Sequence, residues 1–360
     1  MLSHFNEFYR GKTVLVTGHT GFKGSWLCIW LKELGARVIG IGLEPLTERD
    51  NFILSGIGGK IDADIRADIR DAEKLKELFR LYRPEIVFHL AAQPLVRLSY
   101  EIPVQTYEVN VMGTIHVMEA IRSVDSVRAA LMITTDKCYE NKEQLTGYKE
   151  NDPMGGYDPY SSSKGSCEIA IQSWRRSFFN PGEYGVRHHM CLASARAGNV
   201  VGGGDWAKDR IIPDCIRSVE AGRPIELRSP QAIRPWQHVL EALSGYLLLV
   251  KKMWESPREY SGGWNFGPTT ATVATVLDIT SKLVSELGTG TITDVSGAGE
   301  VFHEARLLQL DITKARTELG WSPRLTLDET ISLVADWYKR YKEEDVYRIC
   351  VEQITCFGRL

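Results

Sequence analysis

The stretch TVLVTGHTGFKGSW, residues 13–26, leaves a chain few ways to fold. A short β-branched run, a turn carrying Gly18, Gly21 and Gly24, and then an apolar helical pattern describe a strand that passes into a helix through a tight turn. Glycine there lets the backbone double back and lets a pyrophosphate approach the free N–H groups at the start of the helix. The runs RVIGIGL, KIDADI, EIVFHLAA, AALMITT and HHMCLASA follow, separated by helical patterns such as AEKLKELFRLY, a long one around 103–122 and another near 160–179. Short apolar strands divided by helices must pair in parallel through right-handed crossovers. The expected fold is therefore α/β, a Rossmann-type doubly wound parallel sheet with a smaller C-terminal α/β domain.

The alternation loosens after residue 195. Residues 1–195, with a return segment at 236–264, are expected to form the dinucleotide-binding domain, and 196–235 with 265–360 the substrate domain; the site should lie in the cleft between them. The pair Thr326 and Glu329 has the spacing of a capping box and should open a late helix. A net charge of -3 with interspersed signs offers no field for nucleic acid or an anionic membrane. No stretch is long and apolar enough for a membrane span, and the N-terminus has no secretory pattern, so a soluble cytoplasmic protein is expected. Seven cysteines without C-x-x-C spacing read as reduced thiols, and no metal is expected.

Within this frame Gly18, His19, Gly21, Phe22 and Gly24 are expected around a dinucleotide. His19 is large for that turn and would contact a phosphate, crowd it or only pack. Glu44, just beyond the second strand, is the candidate for the adenosine ribose; no arginine follows it, which favours NAD over NADP. Asp68 and Ile69 would bracket the adenine, unless Asp68 caps the next helix. Leu90, Ala91 and Ala92 at the end of the fourth strand complete the cofactor wall. In YSSSK, Tyr160 and Lys164 stand four residues apart on one helix face. A phenol with a pKa of about 10 becomes a usable base only where a cation stabilises the phenolate. The polar end TTDKCY of the fifth strand adds Thr135, Asp136 and Lys137, opposite charges side by side at the mouth of a buried strand.

TGHTGFKG, ADIRD, FHLAAQ, VNVMGT, TTDKCY, YSSSK, WNFG and TELGWSP occur in the order seen in extended short-chain dehydrogenase/reductases acting on nucleotide sugars, and the resemblance spans almost the whole chain. Within that family the chain resembles the 4,6-dehydratases, and GHTGFKGSWL, TTDKCYEN and GNVVGGGDWAKDRIIPD are similar to the versions found in the branch acting on CDP-glucose. The resemblance implies NAD as cofactor and a closed redox cycle: oxidation at C4, loss of water across C5 and C6, and hydride return to C6. It makes Tyr160 the base for O4, Lys164 its electrostatic partner and ribose ligand, Thr135 a hydrogen-bond partner of O4, and Asn110 a structural support. Once C4 is a ketone the C5 hydrogen is acidic, so elimination needs a base at C5 and an acid at the C6 hydroxyl. Lys137 is read as that base and Asp136 as that acid, although a lysine that keeps its proton would make Asp136 the base; relatives often carry aspartate and glutamate here, and the lysine is a departure. Gln93, Asn199, Arg234, Asn265 and Arg306 are the substrate candidates, the two arginines suiting a diphosphate. The family further implies a homodimer or homotetramer and a role in deoxysugars of bacterial surface polysaccharide such as lipopolysaccharide O-antigen. A 4-epimerase or 4-reductase, or a non-catalytic dinucleotide sensor, are the alternatives on the same scaffold.

Overall fold

The computed structural model describes residues 2–144, 146–269, 273–297 and 308–360. Its centre is a seven-stranded sheet. In chain order the strands are β1 (Thr13–Thr17), β2 (Arg37–Gly42), β3 (Ala63–Arg66), β4 (Ile86–His89), β5 (Ala129–Ile133), β6 (Cys191–Ala197) and a last strand, Gly262–Phe266. They lie in the spatial order β3, β2, β1, β4, β5, β6, Gly262–Phe266, and every pairing is parallel. The order reverses between β1 and β4, so a crevice opens at the carboxyl ends of these strands.

Helices cover both faces, which is why the strands read as nearly unbroken apolar runs. Val14, Val16, Phe88 and Leu131 join one core layer, while Leu15, Val87, Ala130 and Met132 join the other. The helix Phe22–Glu33 is apolar all round because it is enclosed: Gly24 through Leu31 are buried. Trp30 meets Phe357 of the C-terminal helix Val346–Arg359 edge-on at 6.0 Å.

The stretch around 103–122 is not one continuous helix. A helix at Pro103–Tyr107 passes through a π-helical turn, Glu108–Met112, into a second helix at Gly113–Arg122. Such turns occur where a helix must re-aim a side chain, and this one carries Asn110. Beyond β6 the chain forms the helices Ile211–Glu220, Val276–Leu287 and Leu327–Arg340 and three small ladders, Val200–Val201 with Gln237–His238, Ile225–Leu227 with Ile292–Asp294 and Ile233–Pro235 with Val273–Thr275. Thr326 and Glu329 form the expected reciprocal cap. Between these pieces the helix Val239–Glu255 and the strand Gly262–Phe266 return to the sheet, the strand pairing with β6.

Candidate active site

A cavity of about 2690 Å³ runs along the carboxyl ends of the strands and under the segments after β6. It exceeds the roughly 300–1,000 Å³ that one drug-sized ligand needs, so it has room for a dinucleotide and a second molecule. At its floor the turn after β1 places Gly18 at φ 72° against β4. A methyl group at Gly18 would lie 2.7 Å from the Ala91 nitrogen, and one at Gly24 would lie 2.1 Å from the Gly18 carbonyl oxygen. The cradle is thus closed to any larger residue. Gly18, Gly21, Phe22, Gly24, Glu44, Asp68, Ile69, Leu90, Ala91 and Ala92 all line the cavity.

His19 does not. Its ring is fully buried beneath β2, hydrogen-bonded through Nε2 to Asp64 at 2.6 Å and edge-on to Phe52. A methyl group at Gly40 would lie 2.3 Å from the His19 ring, so the glycines of VIGIG make the hole the imidazole fills. Of the three roles open to it, the structure selects packing. Burial lowers the proton affinity of this imidazole, although the Asp64 hydrogen bond opposes that shift. Glu44 meets a cation the local sequence does not reveal, because β3 brings the Arg66 Nε to 2.9 Å from Glu44 Oε2 while Arg66 also pairs with Asp64. Asp68 does not cap the following helix; Asp71 does, and Asp68 instead pairs with Arg70 at 2.6 Å.

Tyr160 and Lys164 sit in the first turns of the helix Pro159–Ser177, which Asp158 caps by accepting from the Ser161 N–H at 2.9 Å. Both side chains are buried and both line the cavity. Burial pushes the Tyr160 phenol up; a hydrogen bond with Thr135 and the charge of Arg210 oppose that rise, while Asp136 adds to it. The opposing cation is therefore Arg210, from the GGGDWAKDR loop. Burial lowers the proton affinity of Lys164, and no hydrogen bond among the described residues engages its ammonium. A free buried ammonium facing the glycine cradle fits the ribose of a dinucleotide, as the cradle itself fits the pyrophosphate.

β5 ends at Ile133, and a one-turn 3₁₀ helix, Asp136–Cys138, follows with Thr135 as its cap. Asp136 is buried, with Oδ1 accepting from the Thr135 hydroxyl at 2.9 Å. Its Oδ2 is sealed without a partner against the backbone at Gly198, where an added methyl would lie 1.9 Å away. Asp136 lines the cavity, and Oδ2 is the carboxylate oxygen left without a partner. Lys137 is half-buried in the cavity wall. Behind this turn Asn110 accepts from the Gln93 N–H at 2.8 Å and donates to Ser163 at 2.9 Å, clamping β4's exit to the Tyr160 helix.

Among the substrate candidates, Gln93, Asn199 and Arg234 line the cavity. Gln93 spends its amide on Leu95 and Thr106, and Asn199 adopts φ 39° at the bend after β6. Asn265 is a correction: it is fully buried, donates to the carbonyls of Tyr148 and Asp311, and accepts from the Tyr139 hydroxyl, away from the cavity. WNFG thus locks the Tyr139 side of the turn rather than touching a ligand. Arg306 lies outside the described residues. The sequence reading missed other arginines that line the cavity, Arg97, Arg210, Arg217, Arg223 and Arg228. It also missed Lys23, inside the glycine motif itself.

The family described as GDP-mannose 4,6 dehydratase matches residues 15–334. CDP-glucose 4,6-dehydratase of Salmonella typhimurium is 49% identical over 344 residues, covering 96% of this chain and 95% of that protein. dTDP-glucose 4,6-dehydratase of the same organism is 25% identical over 352 residues, covering 90% of this chain and 92% of its own. Among solved structures, dTDP-glucose 4,6-dehydratase of Bacillus anthracis in complex with NAD superposes with a TM-score of 0.74 at 19% identity, covering 94% of this chain and 100% of the other. UDP-glucose 4-epimerase of Stenotrophomonas maltophila reaches a TM-score of 0.78 at 21% identity, covering 92% and 99%. With its cradle, its Tyr-Lys helix and a match that spans most of its length, this chain belongs to the GDP-mannose 4,6 dehydratase family of nucleotide-sugar enzymes.

Proposed function

We propose that the protein is an NAD-dependent 4,6-dehydratase converting CDP-D-glucose to CDP-4-keto-6-deoxy-D-glucose. The observation that carries the reading is the meeting, in one cavity, of Tyr160, Lys164 and Thr135 with the Asp136–Lys137 turn. A redox enzyme needs only the first three. The near-full-length similarity to a CDP-glucose 4,6-dehydratase supports the nucleotide. NAD, when bound, accepts a hydride from C4 and returns it to C6.

The residues divide the remaining work. Tyr160 takes the O4 proton, Thr135 holds O4, and Lys164 holds the cofactor ribose at the chemical end of the cradle. Lys137 is the base at C5, with Asp136 anchored beside it by Thr135. Arg234 and other arginines of the cavity wall offset the diphosphate, and fork-shaped guanidinium groups suit that task. The domain division follows the same logic, with 1–195 and 236–264 holding the cofactor and 196–235 with 265–360 the sugar nucleotide.

The protein works as a homodimer or homotetramer in this reading. The helical segments at 103–122 and 159–177 expose Val104, Tyr107, Met112 and Ile169, which suits pairing across subunits. Among the described residues no helix is long and apolar enough to cross a membrane, which agrees with a cytoplasmic enzyme feeding deoxysugars to a surface polysaccharide. Incubation with CDP-glucose and NAD tests the reaction. A 4-keto-6-deoxy sugar should form without net NADH; accumulation of NADH, a C4 epimer, or binding without turnover would each overturn it.

A further inference from the structure

The acid beyond β2 does not stand alone. β2 and β3 pair in parallel with Gly42 opposite Arg66, and Arg66 meets Glu44 just past that register. Its Nε lies 2.9 Å from Glu44 Oε2, while both terminal nitrogens bond to the Asp64 carboxylate, Nη2 to Oδ2 at 3.2 Å. Asp64 also meets His19 Nε2 at 2.6 Å, and the guanidinium stands 5.3 Å from the centre of the buried Phe52 ring. Burial would raise the Asp64 carboxyl, but its hydrogen bonds with Arg66 and His19 hold it below its ordinary range, so this anchor keeps its charge. The two partners of the outer pair are held differently. The Glu44 side chain is 76% exposed and lines the cavity, whereas that of Arg66 is 30% exposed and fixed by Asp64 and Phe52.

A ligand at this end of the cradle therefore meets a loosely held carboxylate with a firmly held guanidinium beside it. NAD and NADP differ here by one phosphate on the adenosine ribose. A carboxylate accepts from the ribose hydroxyl and repels the phosphate, while a guanidinium suits the phosphate. The arginine that does not follow Glu44 in sequence is supplied across the sheet. We propose that Arg66 is a specificity-determining residue for the cofactor, a preset cation for a 2′-phosphate that Glu44 occupies in the phosphate's place. The preference for NAD then depends on Glu44 alone. The inference rests on the reading of Glu44 as the acid at the adenosine ribose.

Fluorescence titration with NAD and NADP tests it. Wild type should bind NAD the more tightly. Glu44→Ser should bind NADP about 10–100-fold more tightly than wild type does, the range of one hydrogen bond to a charged group, and should bind NAD less tightly. One substitution would thus reverse the preference. Adding Arg66→Met to Glu44→Ser should abolish the gain, and Arg66→Met alone should weaken NADP further, because the charge of Glu44 is then no longer offset. Arg66→Met strands Asp64, so each of these variants is also made with Asp64→Asn, which keeps a partner for His19 without a bare carboxylate. Loss of NAD binding in Glu44→Ser with no gain for NADP would overturn the proposal. So would a gain that survives removal of Arg66 in both backgrounds, or a wild type that binds NADP as tightly as NAD. Failure of the wild-type protein to bind NAD at all is a separate result that removes the reading of the cofactor.

Discussion

The substitution Glu168→Gln removes one charge from beneath the catalytic turn and should be costly. Glu168 lies one helical turn beyond Lys164, two beyond Tyr160, and is buried. Its carboxylate accepts from the Thr134 hydroxyl, from Ser194 at 2.8 Å and from Arg196 at 2.7 Å, so it joins the ends of β5 and β6 to the Tyr160 helix. Arg196 is equally buried and reaches on to the Tyr139 hydroxyl at 2.5 Å and the Glu150 carbonyl at 3.0 Å. Burial alone would raise the Glu168 carboxyl, but the Arg196 charge and the three hydrogen bonds hold it below its ordinary range. Removing one partner strands a buried guanidinium, a loss of about 3–5 kcal/mol. Urea unfolding of Glu168→Met, Arg196→Leu and the double variant should reveal a coupling of about 2 kcal/mol or more, the double variant costing less than the sum. The folded carboxyl binds its proton less readily than the unfolded one, so its contribution is full above the unfolded value of about 4.3 and fades as pH falls through the lower folded value. The stability gap between wild type and Glu168→Gln should therefore be constant above about pH 5 and shrink in acid. Additivity within about 0.5 kcal/mol, or a gap that does not narrow as pH falls below about 4, would refute the account.

Other substitutions probe the remaining steps. Gly24→Ala, whose methyl would sit 2.1 Å from the Gly18 oxygen, should abolish measurable NAD binding in fluorescence titration or cost about 1–3 kcal/mol of stability as the turn shifts. Gly40→Ala should destabilise the fold in urea by displacing His19, and His19→Ser should restore much of that loss in the double variant. Glu241 is buried and pushed up to about 7, burial outweighing the backbone N–H groups of Leu325 and Arg324. A raised carboxyl stabilises the fold fully below the unfolded value and loses that contribution as pH rises through about 7, so Glu241→Gln should have a higher urea midpoint than wild type at pH 8 and lose that advantage at pH 4. Tyr160→Phe should lower kcat for CDP-glucose by about 10²-fold or more while leaving CDP affinity within a few-fold, since the phenol works on O4 and not on the nucleotide.

The residues legible in the sequence were those whose role is local. Gly18, Gly21 and Gly24 must serve a tight turn wherever it sits, and Tyr160 with Lys164 must share a helix face, so spacing alone places them. His19 was harder because its neighbours in sequence say nothing of the space beneath β2. The signal was present at a distance, in the two glycines of VIGIG, which have no reason to interrupt a buried strand unless a bulky group lies against it. Arg66 escaped notice for a similar reason: sequence places it 22 residues after Glu44, whereas parallel pairing of β2 with β3 places it alongside. Asn265 stands at the carboxyl end of a strand, where ligand residues gather, and only the contacts across from Tyr148 and Asp311 reveal that its amide is spent on the fold.

The same distinction bears on how the chemistry is built. A charged side chain beside reacting atoms must be kept from pairing with its neighbours, or it has nothing left for substrate. Here the strong pairings are placed one layer back: Glu168 with Arg196 beneath the turn, and Asp205 with Arg210 in the loop above it. Each carboxylate holds the nearest guanidinium, and the ammonium groups of Lys23 and Lys164 are left free in the cavity wall. Burial lowers the hold of both on their protons, and at Lys23 the charges of Arg210 and Lys164 add to it, which favours any ligand that brings negative charge or accepts a hydrogen bond. Restoring a partner is then the sharpest perturbation of the site. A carboxylate introduced beside Lys23 by Gly202→Asp would meet Phe22 and Val239 and disturb packing first, whereas Asn199→Asp adds charge at the bend with little change in volume. Asn199→Asp should raise the KM for CDP-glucose by repelling its diphosphate and leave urea stability within about 0.5 kcal/mol of wild type. An unchanged KM would mean that the cations of the wall, and not the bend after β6, set the affinity for the sugar nucleotide.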